Sequence, residues 1–136
     1  MMIAMSCMTT YGIEISDKLL KAMMQVESRG NAGAKGDYSK KLKEYRAIGA
    51  YQIWKSYVDD VNRISKNKKF TYQDRYDKSK SEEMVKIYLE YYGKRYERFT
   101  GKKVTDEILA KIHNGGPNGW KNKNTDKYWL KVKKAM

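Results

Sequence analysis

Carboxylates are the side chains that this sequence offers in a pattern suited to catalysis. The chain has 136 residues with one histidine, His113, and one cysteine, Cys7, too few for a zinc site of the usual Cys/His type. The Gly-Lys pairs at Gly93 and Gly101 lack the earlier glycine of a phosphate-binding loop. A nucleophilic pair of Cys7 and His113 is an alternative, weakened because Cys7 lies in a terminal segment. We therefore expect acid–base chemistry by carboxylates, with no metal and no organic cofactor.

Glu27 is the carboxylate whose position suggests a catalytic acid. Its helix is predicted to stop at 28–30 (Ser-Arg-Gly), which places Glu27 in the last turn, where negative charge opposes the helix dipole. Shielding by apolar neighbours such as Met23 and Trp54 would disfavour the ionised form further. A carboxyl group that keeps its proton near neutral pH can protonate the leaving oxygen of a glycosidic bond. Taken alone, an exposed glutamate paired with Arg29 or a lysine is the simpler interpretation.

The elements that must position Glu27 are mostly helical, since apolar residues recur at helical spacing along nearly the whole chain. Residues 30–50 are rich in glycine and lysine and are predicted as a loop with a short hairpin, and residues 65–79 as a polar loop. The fourth helix must end at 114–117 (Asn-Gly-Gly-Pro). Five helices are predicted, and they begin near Ser16 or Asp17, Gln52, Ser79 or Ser81, Thr105, and Thr125 or Asp126.

Three motifs follow one another in the sequence around these helix ends. They are Val-Glu-Ser-Arg-Gly-Asn at 26–31, Ile-Gly-Ala-Tyr-Gln-Ile at 48–53 and Ile-His-Asn-Gly-Gly-Pro-Asn-Gly at 112–119. Together they resemble the lysozyme superfamily, with motifs similar to those of soluble lytic transglycosylases and goose-type lysozymes. The closest resemblance is to the invertebrate-type, destabilase-like lysozymes, because the run 113–119 matches their signature without a break and Tyr-Trp follows at 128–129. It covers roughly residues 15 to 135.

The resemblance implies an α+β, mostly α fold, in which a lysozyme-like helical domain carries a small β-hairpin or loop region flanking the active-site cleft. Residues 1–136 would form a single domain, with a mobile N-terminal segment at 1–14. Glu27 would be the catalytic acid. A second carboxylate is expected in the loop before the Gln-Ile element, and Asp37 is the best match. Glu44 competes with it, because residues 38–46 look like an insertion.

Five residues are candidate substrate ligands. The amides of Gln52 and Asn114 suit the N-acetyl and hydroxyl groups of aminosugars, and Gly115 lets backbone approach a bulky sugar. Tyr51, like Tyr92, could offer a flat face to a pyranose ring, unless it is simply part of the core. His113 is the fifth candidate, with a structural role at a helix end as its alternative. Two further acids are interpreted as caps or salt-bridge partners on the second helix: Asp59 and Asp60.

The function that the resemblance implies is a lysozyme or muramidase, which cuts the bond between N-acetylmuramic acid and N-acetylglucosamine in bacterial peptidoglycan. A lytic transglycosylase that uses Glu27 alone is one rival, and it would leave anhydro-muramyl ends instead of reducing ends. A non-catalytic module that binds the cell wall or another polyanion is the rival from a different class. It would keep its effect after Glu27→Gln.

The net charge indicates a class of partner. Lysine and arginine total 29 against 16 acidic residues, a formal charge of +13, which attracts polyanions such as the bacterial wall, anionic lipid or nucleic acid. The basic residues are scattered in short groups, which disfavours nucleic acid. We recognise no signal peptide and no apolar run of membrane-spanning length. Localisation therefore stays open between a phage or viral particle and the cytoplasm before release, and oligomeric state is not predicted.

Overall fold

Five helices and one hairpin make up the part of the chain that the structure describes. The computed structural model describes residues 12–136, so Cys7 and most of the predicted mobile segment 1–14 lie outside it. The α+β, mostly α class predicted from the sequence is confirmed. Short 3-10 helices lie at Tyr72–Tyr76, Gly119–Lys121 and Lys123–Thr125. The main elements are α1 (Asp17–Ser28), β1 (Lys35–Ser39), β2 (Glu44–Ile48), α2 (Lys55–Ile64), α3 (Lys78–Thr100), α4 (Asp106–Gly115) and α5 (Asp126–Ala135).

The predicted ends of α1 and α4 are found where local chemistry requires them. The Ser16 hydroxyl caps α1 by accepting a hydrogen bond from the Leu19 amide at 3.1 Å, and Thr105 caps α4 in the same way. Helix α1 ends at Ser28, because the next residue, Arg29, adopts the left-handed conformation with φ 57°. Because the helix stops there, Glu27 lies in its last turn, as predicted.

Two predicted helix starts were wrong. Helix α2 begins at Lys55 instead of near Gln52, because Gln52 has a φ of 52° and belongs to a turn. Helix α3 begins at Lys78, where the Asp77 side chain accepts a hydrogen bond from the Lys80 amide. Ser81 does not cap α3, since its buried hydroxyl donates to the carbonyl of Arg75 at 2.9 Å.

The hydrophobic core lies among the helices and draws on all five of them. Burial of each large apolar side chain in this core contributes roughly 1.5–3 kcal/mol to the free energy of unfolding before conformational entropy is subtracted. Among the described residues, no helix has the length and apolarity needed to cross a membrane. The core side chains with at most 1% exposure include Leu19, Leu20 and Met23 of α1, Val58 and Val61 of α2, Met84, Val85 and Leu89 of α3, Leu109 and Ile112 of α4, and Val132 of α5.

A buried arginine fastens the hairpin to the helical part. Strands β1 and β2 pair antiparallel, with Gly36 opposite Ala47 and Tyr38 opposite Tyr45. Arg75, only 6% exposed, donates from Nη1 to the Ile53 carbonyl at 3.0 Å and from Nε to the Tyr72 carbonyl at 2.8 Å. A guanidinium satisfied by backbone carbonyls ties the end of the hairpin to the segment before α3. The hairpin is therefore held at a set position beside the helices.

Candidate active site

A cleft of about 910 Å³ lies between the hairpin and the helices. Its walls come from the end of α1, the hairpin, helices α2 and α3, and the end of α4. Six of the residues predicted from the sequence line it: Glu27, Asp37, Gln52, His113, Asn114 and Gly115.

Glu27 projects into this cleft from the last turn of α1, and only 16% of its side chain is exposed. The turn is tethered to the next motif, because the Ser28 hydroxyl donates to the Ala50 carbonyl at 2.7 Å. Oε2 of Glu27 lies 3.3 Å from Nε2 of His113. Burial raises the pKa of the Tyr128 phenol, and the charge of the nearby Glu27 is the second-largest cause of that increase. Glu27 is therefore a largely buried carboxyl group, flanked by protein donors, at the wall of a cleft.

His113 is held in one tautomer by its neighbours. Its Nε2 lies 3.1 Å from the Tyr51 carbonyl, which can only accept, so Nε2 carries a proton. Nδ1 lies 2.9 Å from the Tyr57 hydroxyl, and burial followed by the charges of Tyr88 and Glu27 raises the pKa of Tyr57 well above its ordinary value. The protonated phenol therefore donates to Nδ1. The imidazole acts as a buried donor beside Glu27, with 3% of its side chain exposed.

We expect Tyr57→Phe to show that this chain of hydrogen bonds supports the site. The variant leaves the buried Nδ1 of His113 without its donor, which costs about 1–3 kcal/mol. Thermal unfolding should show a lower Tm than that of the unaltered protein. Tyr45→Phe is the matched control, because Tyr45 is 45% exposed on the hairpin. Equal Tm values for the two variants would contradict a structural role for the Tyr57 hydroxyl.

Asp37 lies on the hairpin wall of the cleft. It stands opposite Arg46 between two paired positions of the strands, and its Oδ1 accepts a hydrogen bond from Arg46 Nη2 at 3.0 Å. Its backbone has a φ of 51°, a left-handed conformation that aspartate tolerates better than most residues. Glu44, the competing candidate, pairs with Lys55 at 3.3 Å and does not line the cleft. Of the two candidate acids on the hairpin, Asp37 therefore lies on the cleft wall and Glu44 lies outside it.

The Gln52 side chain supports the floor of the cleft by bonding to the backbone of other residues. Its Nε2 donates to the carbonyls of Gly49 at 3.1 Å and Ala34 at 3.3 Å. Its Oε1 lies so close to Gly36 that a Cβ there would approach it to 2.4 Å. The side-chain amide therefore joins the start of the hairpin to the turn before α2. A sugar in the cleft would meet an amide whose N–H groups already bind backbone.

The two tyrosines expected to stack on sugars lie in the core. Tyr51 is 1% exposed and absent from the cleft lining, so its ring presents no face to a ligand, and its carbonyl instead orients His113. Tyr92 is 5% exposed, and its hydroxyl bonds to Asp60. Gly115 does line the cleft, but a Cβ there would lie 2.6 Å from Thr125. Its lack of a side chain is thus required by packing as well.

Sequence reasoning did not assign Trp54, Tyr57 and Tyr88, or a polar stripe on α2, to the cleft wall. Trp54 lines the cleft and is 42% exposed, with the Arg46 guanidinium 4.7 Å from its ring centroid. The stripe follows helical spacing, which is the signal that could have revealed it. Among the described residues, no group of three potential metal ligands could hold an ion. The stripe residues on the cleft wall are Ser56, Asp59, Asp60 and Arg63.

Comparison of the sequence with known proteins finds a matching family and similar lysozymes. The Destabilase family model matches residues 16–135. The lysozyme of Meretrix lusoria is 29% identical over 121 residues, covering 88% of this chain and 89% of that protein. Lysozyme 1 of Crassostrea virginica is 49% identical over 41 residues, which are 30% of this chain and 22% of that protein.

Solved structures extend the relationship to the fold. A chain in the crystal structure of Aeromonas hydrophila PliI in complex with Meretrix lusoria lysozyme matches with a TM-score of 0.68 and 28% identity, covering 93% of both chains. The crystal structure of Tapes japonica lysozyme matches with a TM-score of 0.65 and 28% identity, covering 88% of this chain and 89% of that one.

A helical domain with a hairpin-walled cleft, related in sequence and fold to lysozymes, is a glycosidase of the lysozyme type. The muramidase class predicted from the sequence is thereby confirmed. The chain belongs to the destabilase family.

Proposed function

We propose that this protein hydrolyses bacterial peptidoglycan at the bond between N-acetylmuramic acid and N-acetylglucosamine, with Glu27 as general acid and Asp37 as the second carboxylate. The observation that carries the proposal is the placement of both carboxylates on the walls of one cleft. Glycosidases of this type use two carboxyl groups that flank the scissile bond. The polysaccharide chain would lie in the cleft between the hairpin and α1.

Glu27 supplies the proton in this mechanism. A glycosidic oxygen leaves readily only when it is protonated as the bond to the anomeric carbon breaks. The Glu27 side chain is 16% exposed and lies in the last turn of α1, at the wall of the cleft. His113, fixed in one tautomer, lies beside this carboxyl group, with its Nε2 3.3 Å from Oε2. After the leaving group departs, the Glu27 carboxylate can take a proton from the water that completes hydrolysis.

Asp37 acts on the positive charge that develops at the anomeric carbon. If its carboxylate lies about 5 Å from that of Glu27 it can attack or stabilise this centre, giving retention, whereas a wider separation admits an activated water and gives inversion. The ion pair with Arg46 and the hairpin backbone hold the Asp37 side chain in one place. A second carboxylate in the cleft favours hydrolysis over the transglycosylase mechanism, which needs only Glu27.

Product analysis tests the second carboxylate. Wild-type protein should release muropeptides with reducing ends, each one water heavier than the anhydro-muramyl products of a transglycosylase. We expect Asp37→Asn to lower the rate about 10²-fold or more, because the charge that supports the transition state is lost. Mass spectrometry of peptidoglycan digests provides both the product identity and the rate.

Glu44→Gln is the matched control for that experiment, since Glu44 lies on the same hairpin and pairs with a lysine outside the cleft lining. Its rate should stay within about twofold of the wild-type rate, as is usual for an exposed ion pair. Anhydro-muramyl products, or an Asp37→Asn variant with full activity, would count against hydrolysis with Asp37 and in favour of the Glu27-only mechanism.

A further inference from the structure

We propose that Arg63 forms a carboxylate-binding subsite at the end of the cleft remote from Glu27, where it binds the acidic substituent of a muramyl residue. The inference rests on the proposed function, because it names the feature of the glycan that the cleft recognises. The ligand class is a carboxylate attached through the 3-O-lactyl group, which distinguishes muramic acid from N-acetylglucosamine.

Arg63 lies along the cleft at a distance from the reacting bond. It occupies the last turn of α2, lines the cleft, and has 59% of its side chain exposed. Tyr57, on the same helix, bonds to the His113 that contacts Glu27. At the rise of an α-helix, Arg63 lies about 9 Å beyond Tyr57 along α2. A polysaccharide that reaches Glu27 and continues along α2 would therefore pass the Arg63 guanidinium.

The guanidinium is oriented before any ligand arrives. Asp60 Oδ1 accepts from Arg63 Nε at 2.9 Å and from Nη2 at 2.7 Å. Nη2 also donates to the Tyr92 hydroxyl at 3.2 Å, and the Tyr91 ring centroid lies 5.6 Å from the guanidinium carbon. Holding a long side chain in one orientation lowers the entropy lost when it binds a partner. These contacts hold the Arg63 guanidinium in one orientation.

One nitrogen of this guanidinium remains for a ligand. Within residues 12–136 Arg63 donates from Nε and Nη2 to Asp60 and Tyr92. The Tyr91 phenol is a further partner of the guanidinium, which leaves one of its five N–H donors, on Nη1, for a ligand. Guanidinium groups bind carboxylates through charge-assisted hydrogen bonds, which are about twice as strong as neutral ones. A carboxylate in the cleft can therefore add to the Asp60 pair without displacing it.

The neighbouring acids define the electrostatics of the subsite. Asp60 is neutralised by Arg63, and its other oxygen accepts from the Tyr92 hydroxyl. Asp59 also lines the cleft and accepts from the Tyr72 hydroxyl at 2.7 Å. Its charge opposes a carboxylate ligand at this end of the cleft. Removing that charge by Asp59→Asn should therefore strengthen carboxylate binding, whereas Arg63→Gln should weaken it.

Two glycans distinguish carboxylate binding at this subsite from a general effect of the variant on the cleft. Chitin oligomers lack the lactyl group, whereas peptidoglycan glycans of the same length carry it on alternate sugars. In intact peptidoglycan the lactyl carbonyl is amide-linked and the free carboxylates belong to the stem peptide. Amidase treatment removes the peptide and frees the lactyl carboxylate. Using both forms of the glycan identifies which carboxylate Arg63 binds.

The measured quantity is the ratio of kcat/KM on the muramyl glycan to kcat/KM on the chitin oligomer. Arg63→Gln should lower that ratio by about tenfold, the loss of one charge-assisted hydrogen bond, and Asp59→Asn should raise it. Arg98→Gln is the matched control, because it removes the same charge from an exposed position outside the cleft lining. Its ratio should not change.

If Arg63→Gln leaves the ratio within about twofold of the wild-type ratio on both forms of the muramyl glycan, the subsite is overturned whatever the absolute rates. Equal decreases in the ratio for Arg63→Gln and Arg98→Gln would also overturn it, because net charge would then explain the effect. Failure of the proposed function looks different, since wild-type protein would then not cleave the muramyl glycan. If wild-type protein cleaves the muramyl glycan but not chitin, inhibition of that cleavage by the chitin oligomer supplies the comparison in place of its kcat/KM.

Discussion

We expect the Glu27→Gln variant to lose at least about 10³-fold in kcat/KM on peptidoglycan, the upper part of the range for removing a general acid. Glutamine has nearly the same shape as glutamate but has no acidic proton to give to the leaving oxygen. The amide oxygen would occupy the place of the carboxylate oxygen, which lies 3.3 Å from Nε2 of His113 in the native protein. The chemistry is therefore removed while the packing at the end of α1 is kept.

The measurement compares the initial rate of wall lysis with release of muropeptides by mass spectrometry. Glu90→Gln is the matched control, because Glu90 is exposed on α3 and does not line the cleft. It should lyse walls at the wild-type rate. If Glu27→Gln kept full bacteriolysis, the effect on bacteria would be non-catalytic, and the polyanion-binding alternative would replace the hydrolase.

The second large effect is expected on stability, from Gly49→Ala. Gly49 has a φ of 86°, and a Cβ built there lies 1.9 Å from the carbonyl oxygen of Arg75. Alanine would therefore carry the cost of a left-handed backbone, roughly 1–2 kcal/mol, and would also push the Arg75 backbone away. Overpacking of this kind adds about 1–3 kcal/mol. The sum is large beside the marginal stability of a domain of this size, about 5–15 kcal/mol.

Gly101→Ala separates these two contributions. Gly101 also has a positive φ, 72°, but nothing lies within 4 Å of its added Cβ. Gly101→Ala should therefore lose only the free energy that a left-handed backbone costs alanine, about 1–2 kcal/mol. Urea unfolding of the two variants gives the free energy of unfolding of each. Equal losses would mean that the Gly49 turn can move away from Arg75, and the close approach would then carry no energetic weight.

The Gly49 turn also connects stability to the site. The Gly49 carbonyl accepts from the Gln52 side chain, and its amide donates to the Ala34 carbonyl at 2.8 Å. These bonds join the start of the hairpin to the entry of α2. Displacing the turn would move the hairpin that carries Asp37. We therefore expect Gly49→Ala to lower activity as well as stability, whereas Gly101→Ala should affect stability alone.

The sequence predicted the structure correctly where a feature depends on one short stretch of chain. The serine before α1 and the Ser-Arg-Gly stop after it determine both helix ends, because capping and left-handed residues act within a few positions. That alone placed Glu27 in the last turn of its helix. The order of the three motifs likewise indicated the family, because each motif is a contiguous run of residues.

Tertiary structure decided which side chains face the cleft. Helical or turn spacing assigns residues to a face, but it does not tell which face another element will cover. Tyr51 was expected at the sugar and lies in the core, whereas Trp54, three positions later, lies on the cleft wall. Asp59 and Asp60, which also reach the cleft, were expected to serve only as caps or salt-bridge partners, since nothing local relates them to Glu27.

The sequence by itself determined the position of Glu27 in the last turn of its helix, the helical class and the family, because these depend on hydrogen bonds and motifs within short stretches of the chain. Only the folded protein decided that His113 donates beside Glu27, that Asp37 and not Glu44 lines the cleft, and that Arg63 joins the same groove. Each of these depends on packing between elements distant in sequence. Such contacts form only when the burial of the whole core brings those elements together.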